Sequence, residues 1–166
     1  MTFDPSTEIG DMERLVQEDV ALARDPAALL AHTTVRRCFD PRPITIRAEA
    51  NLQTFLWQTS MYRQSEFPVL SADGRFLGMV ARDAVLEALE IGDDLCRVLI
   101  AADLIRIEDN RVTPDDSLLI VLRRFHAQDG DWLPVVEVND PDRLVGVLSR
   151  QDLLAACRRE LIQDEN

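Results

Sequence analysis

The chain contains no lysine. All 18 of its basic residues are arginine, set against 30 aspartates and glutamates, and the formal net charge is -12. A surface of that sign repels nucleic acid and the anionic leaflet of a membrane unless basic residues cluster locally, so neither nucleic acid nor direct membrane insertion is expected as a partner. Cysteine is sparse: Cys38, Cys96 and Cys157 lie far apart without CxxC spacing, which excludes a zinc knuckle or a disulfide framework. They read as small buried apolar residues in a reducing compartment. No apolar run approaches the roughly 20 residues of a membrane span. The opening "MTFDPSTEIGDMERL" has neither the basic start nor the apolar run of a signal peptide, so a cytoplasmic location is expected. His32 and His126 stand without partners at metal-ligand spacing, and no nucleophile-base pair or glycine-rich phosphate loop is present. An enzyme is therefore not expected, nor a catalytic cofactor or a metal.

What the chain does have is a repeat. With 46% hydrophobic and 29% charged residues it has the composition of a folded protein. The segment from Ile44 superimposes on the segment from Asn110 at an offset of 66, which pairs Ile46 with Val112, Leu52 with Leu118 and Phe67-Pro68-Val69 with Leu133-Pro134-Val135. Two extra residues in "EVNDPDR" raise the offset to 68, and Gly78 then meets Gly146. Each copy runs in the same order. A short strand ("ITI" or "RVT") is followed by an amphipathic helix, about 50–62 or 116–127, then by a buried strand, "FPVLS" or "LPVVEV". An Asp-, Gly- or Pro-rich turn leads to a returning strand, "FLGMVA" or "LVGVLS", and a closing helix, about 82–89 or 150–161.

The expected fold class is α+β: two pseudo-symmetric β-α-β-β-α repeats packed through their sheets, preceded by an N-terminal helical segment. About 55 residues cannot bury much apolar surface alone, whereas two facing copies can. The expected boundaries are 1–33 for the helical segment, 34–92 for the first repeat and 93–162 for the second. Within 1–33, Thr7 to Arg24 is close to a helical period, and "AALLAH" after Pro26 opens a second short helix.

The doubled order of strand, helix, "hPVV", acidic turn and "hhGhhSxxDLL" resembles the CBS domain, named after cystathionine β-synthase, and its duplication resembles the tandem CBS pair, or Bateman module. The likeness covers about 34–160. "EFPVLSADGRFLG", "VTPDDSL" and "DPDRLVGVLSRQDLL" followed by "RREL" are most similar to the cytosolic tail of chloride channels and chloride/proton antiporters. The resemblance implies a regulatory module without catalysis. Its ligand would be an adenine nucleotide (ATP, ADP or AMP, less often S-adenosylmethionine) in the cleft between copies, or none. It also implies a homodimer formed through the helices and a membrane channel or transporter as the regulated partner; the alternatives are a ligand-free structural dimerisation domain and a stand-alone cytosolic CBS protein acting on another enzyme.

Carried onto this chain, the resemblance places Ser149 and Asp152 of "SRQD" at the ligand. Asp152 would accept hydrogen bonds from the ribose hydroxyls, while Ser149 and the free N–H groups of the helix start would face a phosphate. S-x-x-D before an apolar run is also a helix cap, with Ser149 as the capping residue. The first copy has Ala81 and Ala84 at these positions, with Asp83 displaced by about 100° around the helix, so one nucleoside cleft is expected and not two. Opposite Asp152, the matching positions are Pro43 and Ile44 at the strand start and Gln64 and Ser65 before Phe67-Pro68; Leu133 and Pro134 match in the second copy. Gln64 stands where relatives often carry an aromatic residue. Arg36, Arg37, Arg42, Arg123 and Arg124 are the candidate phosphate charges, although Arg123 and Arg124 suit a solvated face better. Asp93-Asp94 and Asp115-Asp116 suit turns or helix caps, and Trp57 and Trp132 suit packing or an interface.

Overall fold

The computed structural model describes residues 25–106 and 110–164; the periodic segment Thr7 to Arg24 lies outside them. The chain runs α1 (Pro26–His32), a 3-10 turn (Val35–Arg37), β1 (Ile46–Arg47), α2 (Leu52–Thr59), β2 (Glu66–Leu70), β3 (Phe76–Ala81), α3 (Arg82–Ile91) and α4 (Asp93–Val98). A second 3-10 turn (Ala101–Leu104) leads to α5 (Leu118–Ala127), β4 (Trp132–Glu137), β5 (Asp140–Ser149) and α6 (Arg150–Asp164). Helices α2 and α5 start two residues later than their periodicity predicts, because the caps lie inside the apolar pattern. The Asn51 side chain accepts the Thr54 N–H at 2.8 Å, and Ser117 Oγ accepts the Ile120 N–H at 3.2 Å. Asp116 instead accepts the Thr113 N–H and closes the turn before α5. Asp93 and Asp94 sit in the first turn of α4, a helix that the sequence reading did not anticipate.

The two copies are superimposable in register. β1 pairs parallel to β2 with Ile46 opposite Val69, and Val112 bridges Val135 in the same sense, each number raised by 66. β2 and β3 run antiparallel with Val69 opposite Gly78, as β4 and β5 do with Val135 opposite Gly146. Each copy encloses its own core. In the first, Phe55 meets Phe67 edge to face at 5.4 Å between ring centres, among Leu52, Val80 and Val85. In the second, Leu118, Val121, Leu133, Leu148 and Leu153 hold the matching places. A smaller cluster of Phe76, Met79, Val136 and Val147 joins β3 to β5, so the repeats meet through their sheets as expected.

The segment that precedes each repeat packs on the other one. Asp40 exchanges backbone hydrogen bonds with Val147, at 2.8 and 3.0 Å, and Thr34 bridges Ser117. Arg106 in turn donates its N–H to Met79 O at 3.0 Å, and Ile100 bridges Asn51. Helix α1 thus lies on α5 and α6, and α4 on α3 and α2. Val35, fully buried, is part of the second copy's core, and Ala101 part of the first's. Both contacts are close enough to require glycine beneath them. A Cβ on Gly146 would strike Asp40 O and the Phe39 ring, and one on Gly78 would strike Ile105.

Gly146→Ala is expected to cost about 1–3 kcal/mol through this overpacking. Leu77→Ala, a solvent-facing change on β3, should cost less, and urea denaturation of the two variants makes the comparison.

Candidate functional site

The end of β5 and the start of α6 form a polar part of the junction between the repeats. Ser149 faces Trp132 in the ladder, and its Oγ accepts the Asp152 N–H at 3.0 Å, which makes it the cap of α6. The cap points Asp152 outward from the first helical turn, where it is exposed and where its charge favours the helix start. Around it opens a groove of about 520 Å³ whose walls include Arg63, Ser65, Asp131, Trp132, Ser149 and Asp152. Among the described residues the Asp152 carboxylate has no hydrogen-bond or ion-pair partner.

Of the residues singled out by sequence, the structure brings Ser65, Ser149 and Asp152 into this groove. Pro43 and Ile44 are half-buried on the approach to β1, Ile44 against the first core, and neither lines the groove. Gln64 is buried, and its amide is fully engaged. Its Oε1 accepts the Ile44 N–H at 3.2 Å, and its Nε2 donates to Ile44 O at 3.0 Å and Glu66 O at 2.9 Å. Leu133 is buried in the second core, and Pro134 borders a different cavity beside Glu66. Arg63 and Trp132 are among the groove residues that the sequence did not single out as site residues. Arg63 is an exposed cation in a loop with no motif to mark it, and Trp132 was read as a packing or interface residue, although its ring is half-buried at the groove wall. Trp57 is 80% exposed, which removes the packing reading for it.

The basic residue inside "SRQD" has a structural task. Arg150 folds back under the helix end that precedes β4. Its guanidinium donates to Phe125 O at 2.9 Å and Gly130 O at 3.1 Å while covering the Phe125 ring at 5.5 Å. Its Nε lies 3.0 Å from Asp131 Oδ1, an ion-pair contact without hydrogen-bond alignment. Arg82 repeats the arrangement in the first copy, donating to Thr59, Tyr62 and Gln64 carbonyls and covering Phe67. An arginine directly after the returning strand in both copies was the sequence signal for this pairing.

The matching region of the first copy is built differently. Ala81 offers α3 no side-chain cap, and Asp83 is exposed. Gly130 replaces Gln64, and the space a Cβ would take there holds the Glu66 carboxylate and the Arg106 guanidinium, paired at 3.4 Å. Glu66 is almost wholly buried. Its burial pushes the carboxyl above the usual range, only partly opposed by Arg106 and by the Asp131 N–H.

The CBS domain model matches residues 35–91 and again 102–159, most of the chain. The chain belongs to the CBS domain family. No curated protein sequence matches it. Solved structures similar to this CBS pair include CBSX2 in complex with AMP, at TM-score 0.66 and 19% identity over 76% of this chain and 97% of that one. The CBS domain of a bacterial CNNM/CorC family Mg2+ transporter in complex with ATP reaches TM-score 0.66 and 18% identity over 82% and 92%. A putative acetoin utilization protein from Vibrio cholerae reaches 0.66 and 20% over 80% and 96%. These likenesses establish the fold. CBS domains are regulatory modules, and among the described residues no helix is long and apolar enough to cross a membrane.

Replacing Arg150 with Met should cost about 1.5–3 kcal/mol, since the helix-end carbonyls lose a charged donor while the aliphatic stem is kept; thermal melts of R150M and wild type read this. The Glu66 carboxyl holds its proton to higher pH when folded than when unfolded. Its contribution to stability is therefore complete below about pH 4.3, the unfolded value, and is lost as pH rises through the folded pKa. Glu66→Gln is expected to flatten that part of the stability-pH curve, measured by urea denaturation across the acid range.

Proposed function

We propose that this CBS pair is a non-catalytic regulatory module that takes one adenine nucleotide (ATP, ADP or AMP) in the groove at Asp152. It acts as a homodimer joined through its helices, at the cytosolic face of an attached or partner chloride channel or other membrane transporter. The observation that carries the reading is the groove itself. It sets an unpartnered carboxylate, an indole face and a guanidinium around one opening, matching a ribose diol, a nucleobase and a phosphate. The AMP and ATP complexes of similar folds support the ligand class, and the CNNM/CorC relative supports a transporter as the kind of partner. The exposed Trp57 on α2, Met61 just after it and Leu86 on α3 support a helix-mediated dimer.

Gln64 favours a second reading, a structural dimerisation domain that binds no nucleotide. Its amide already occupies the N–H and C=O of Ile44, one of the positions that the resemblance assigns to the base. Isothermal titration separates the two. Under the regulatory reading ATP, ADP or AMP binds wild type at about one per chain, with or without Mg²⁺, and binding is lost in Asp152→Ala. Absence of heat and of any thermal shift with these nucleotides and with S-adenosylmethionine would leave dimerisation as the function.

A further inference from the structure

Arg36 and Arg37 converge with a residue from the far end of the chain. The segment Thr33 to Cys38, crossing onto the second repeat, and the middle of α6 enclose a cavity of about 360 Å³, within the size range of small-ligand pockets. Its polar lining comes from Arg36, Arg37, Arg159, His32, Thr34 and Glu160. On a chain of net charge -12 this is a reversal of sign: even with Arg36 set against Asp115, two guanidinium groups, Arg37 and Arg159, stand against one carboxylate, Glu160. Glu160 is turned toward the Thr33 hydroxyl at 3.5 Å, and Arg36 is held by Asp115 outside the cavity. Among the described residues neither Arg37 nor Arg159 has a hydrogen-bond or ion-pair partner. The Cys38 thiol at the wall is pushed up to about 11, chiefly by burial and next by the neighbouring Cys157, so it stays neutral at physiological pH and supplies no anion of its own.

We propose that this cavity is an anion site for a phosphate group, most naturally a diphosphate, held by Arg37 from the crossing segment and Arg159 from α6. Guanidinium groups pair with phosphate oxygens through two parallel N–H donors each, and two such forks lining one cavity suit a pair of linked phosphates better than a single carboxylate. The walls come from segments that are distant in sequence, which is why the arginine pairs at 36–37 and 158–159 gave no sign of a joint site. Asp152 is two helical turns from Arg159 on α6, about 10.5 Å along the axis. The site therefore lies apart from the groove, and its existence does not rest on nucleotide binding there.

The test is titration of the full chain with inorganic pyrophosphate at low ionic strength without divalent cations. Wild type is expected to bind one pyrophosphate per chain. The double variant Arg37→Ala, Arg159→Ala should bind at least tenfold more weakly, and Arg143→Ala, which removes an exposed charge elsewhere, should bind within twofold of wild type. Circular dichroism of the double variant, whose substituted residues are both exposed, checks that it folds. Absence of pyrophosphate binding to wild type overturns the proposal, as does equal binding by the double variant or equal weakening by Arg143→Ala. Adenosine and ATP identify the source of the phosphate. If pyrophosphate and adenosine bind together without competition, the site takes a free phosphate anion. If ATP outbinds AMP only while Arg37 and Arg159 are present, the site takes the tail of a nucleotide. Adenosine binding lost in Asp152→Ala but intact in the arginine double variant would show that the two sites fail separately.

Discussion

The short backbone exchange between Asp40 and Val147, matched by the bond from Arg106 to Met79, is the constraint on which the rest of this structure depends. Neither repeat closes its core with residues from its own stretch of chain. The second needs Val35 and Leu30, and the first needs Ala101 and Leu104. Because each crossing segment lies directly on the partner's returning strand, glycine is required at 78 and 146. The cavity at Arg37 borders that crossing, whereas the groove at Asp152 takes its walls from both repeats, so a ligand in the groove would touch both at once.

Within that frame the repeats have diverged at their polar positions while keeping their apolar ones. Arg82 and Arg150 do the same work on the same carbonyl sets, although the ring each covers, Phe67 or Phe125, stands at a different place in its repeat. By contrast, Ser149 and Asp152 face Ala81 and Ala84 across the pseudo-symmetry. Gln64 faces Gly130, and the room left by the glycine is taken by Glu66 and Arg106. Apolar positions are held by packing density, which punishes change in either copy, whereas polar positions at an open groove are free to differ.

The fold was legible because its signals are periodic and were stated twice. Register followed from "FPV" and "LPV", and the offsets of 66 and 68 reappear residue for residue in the strand pairing. The exchange of segments was not legible, since nothing in "TTVRRCFD" says which copy it will lie on; that is decided by where the chain can reach and which edge is unpaired. The site was legible only in part. Ser149 and Asp152 announce themselves through a motif, whereas Arg63 and Trp132 arrive at the groove through tertiary placement alone. Gln64 was noted for its departure from an aromatic, but its three backbone contacts depend on the path of Ile44.

The exchanged segments also bear on how the chain can be made. During synthesis Thr34 and Asp40 leave the ribosome long before their partners Ser117 and Val147, so α1 and the stretch after it must wait, unpaired, while the whole first repeat is produced. That repeat in turn cannot seal its own core until Ile100 and Arg106 have emerged. Folding is thereby tied to contacts about a hundred residues apart, with the loop-closure cost and slow, late commitment that such separations bring. A fragment ending after α3 would carry an unsatisfied β3 edge, open to pairing with the corresponding segment of a second chain.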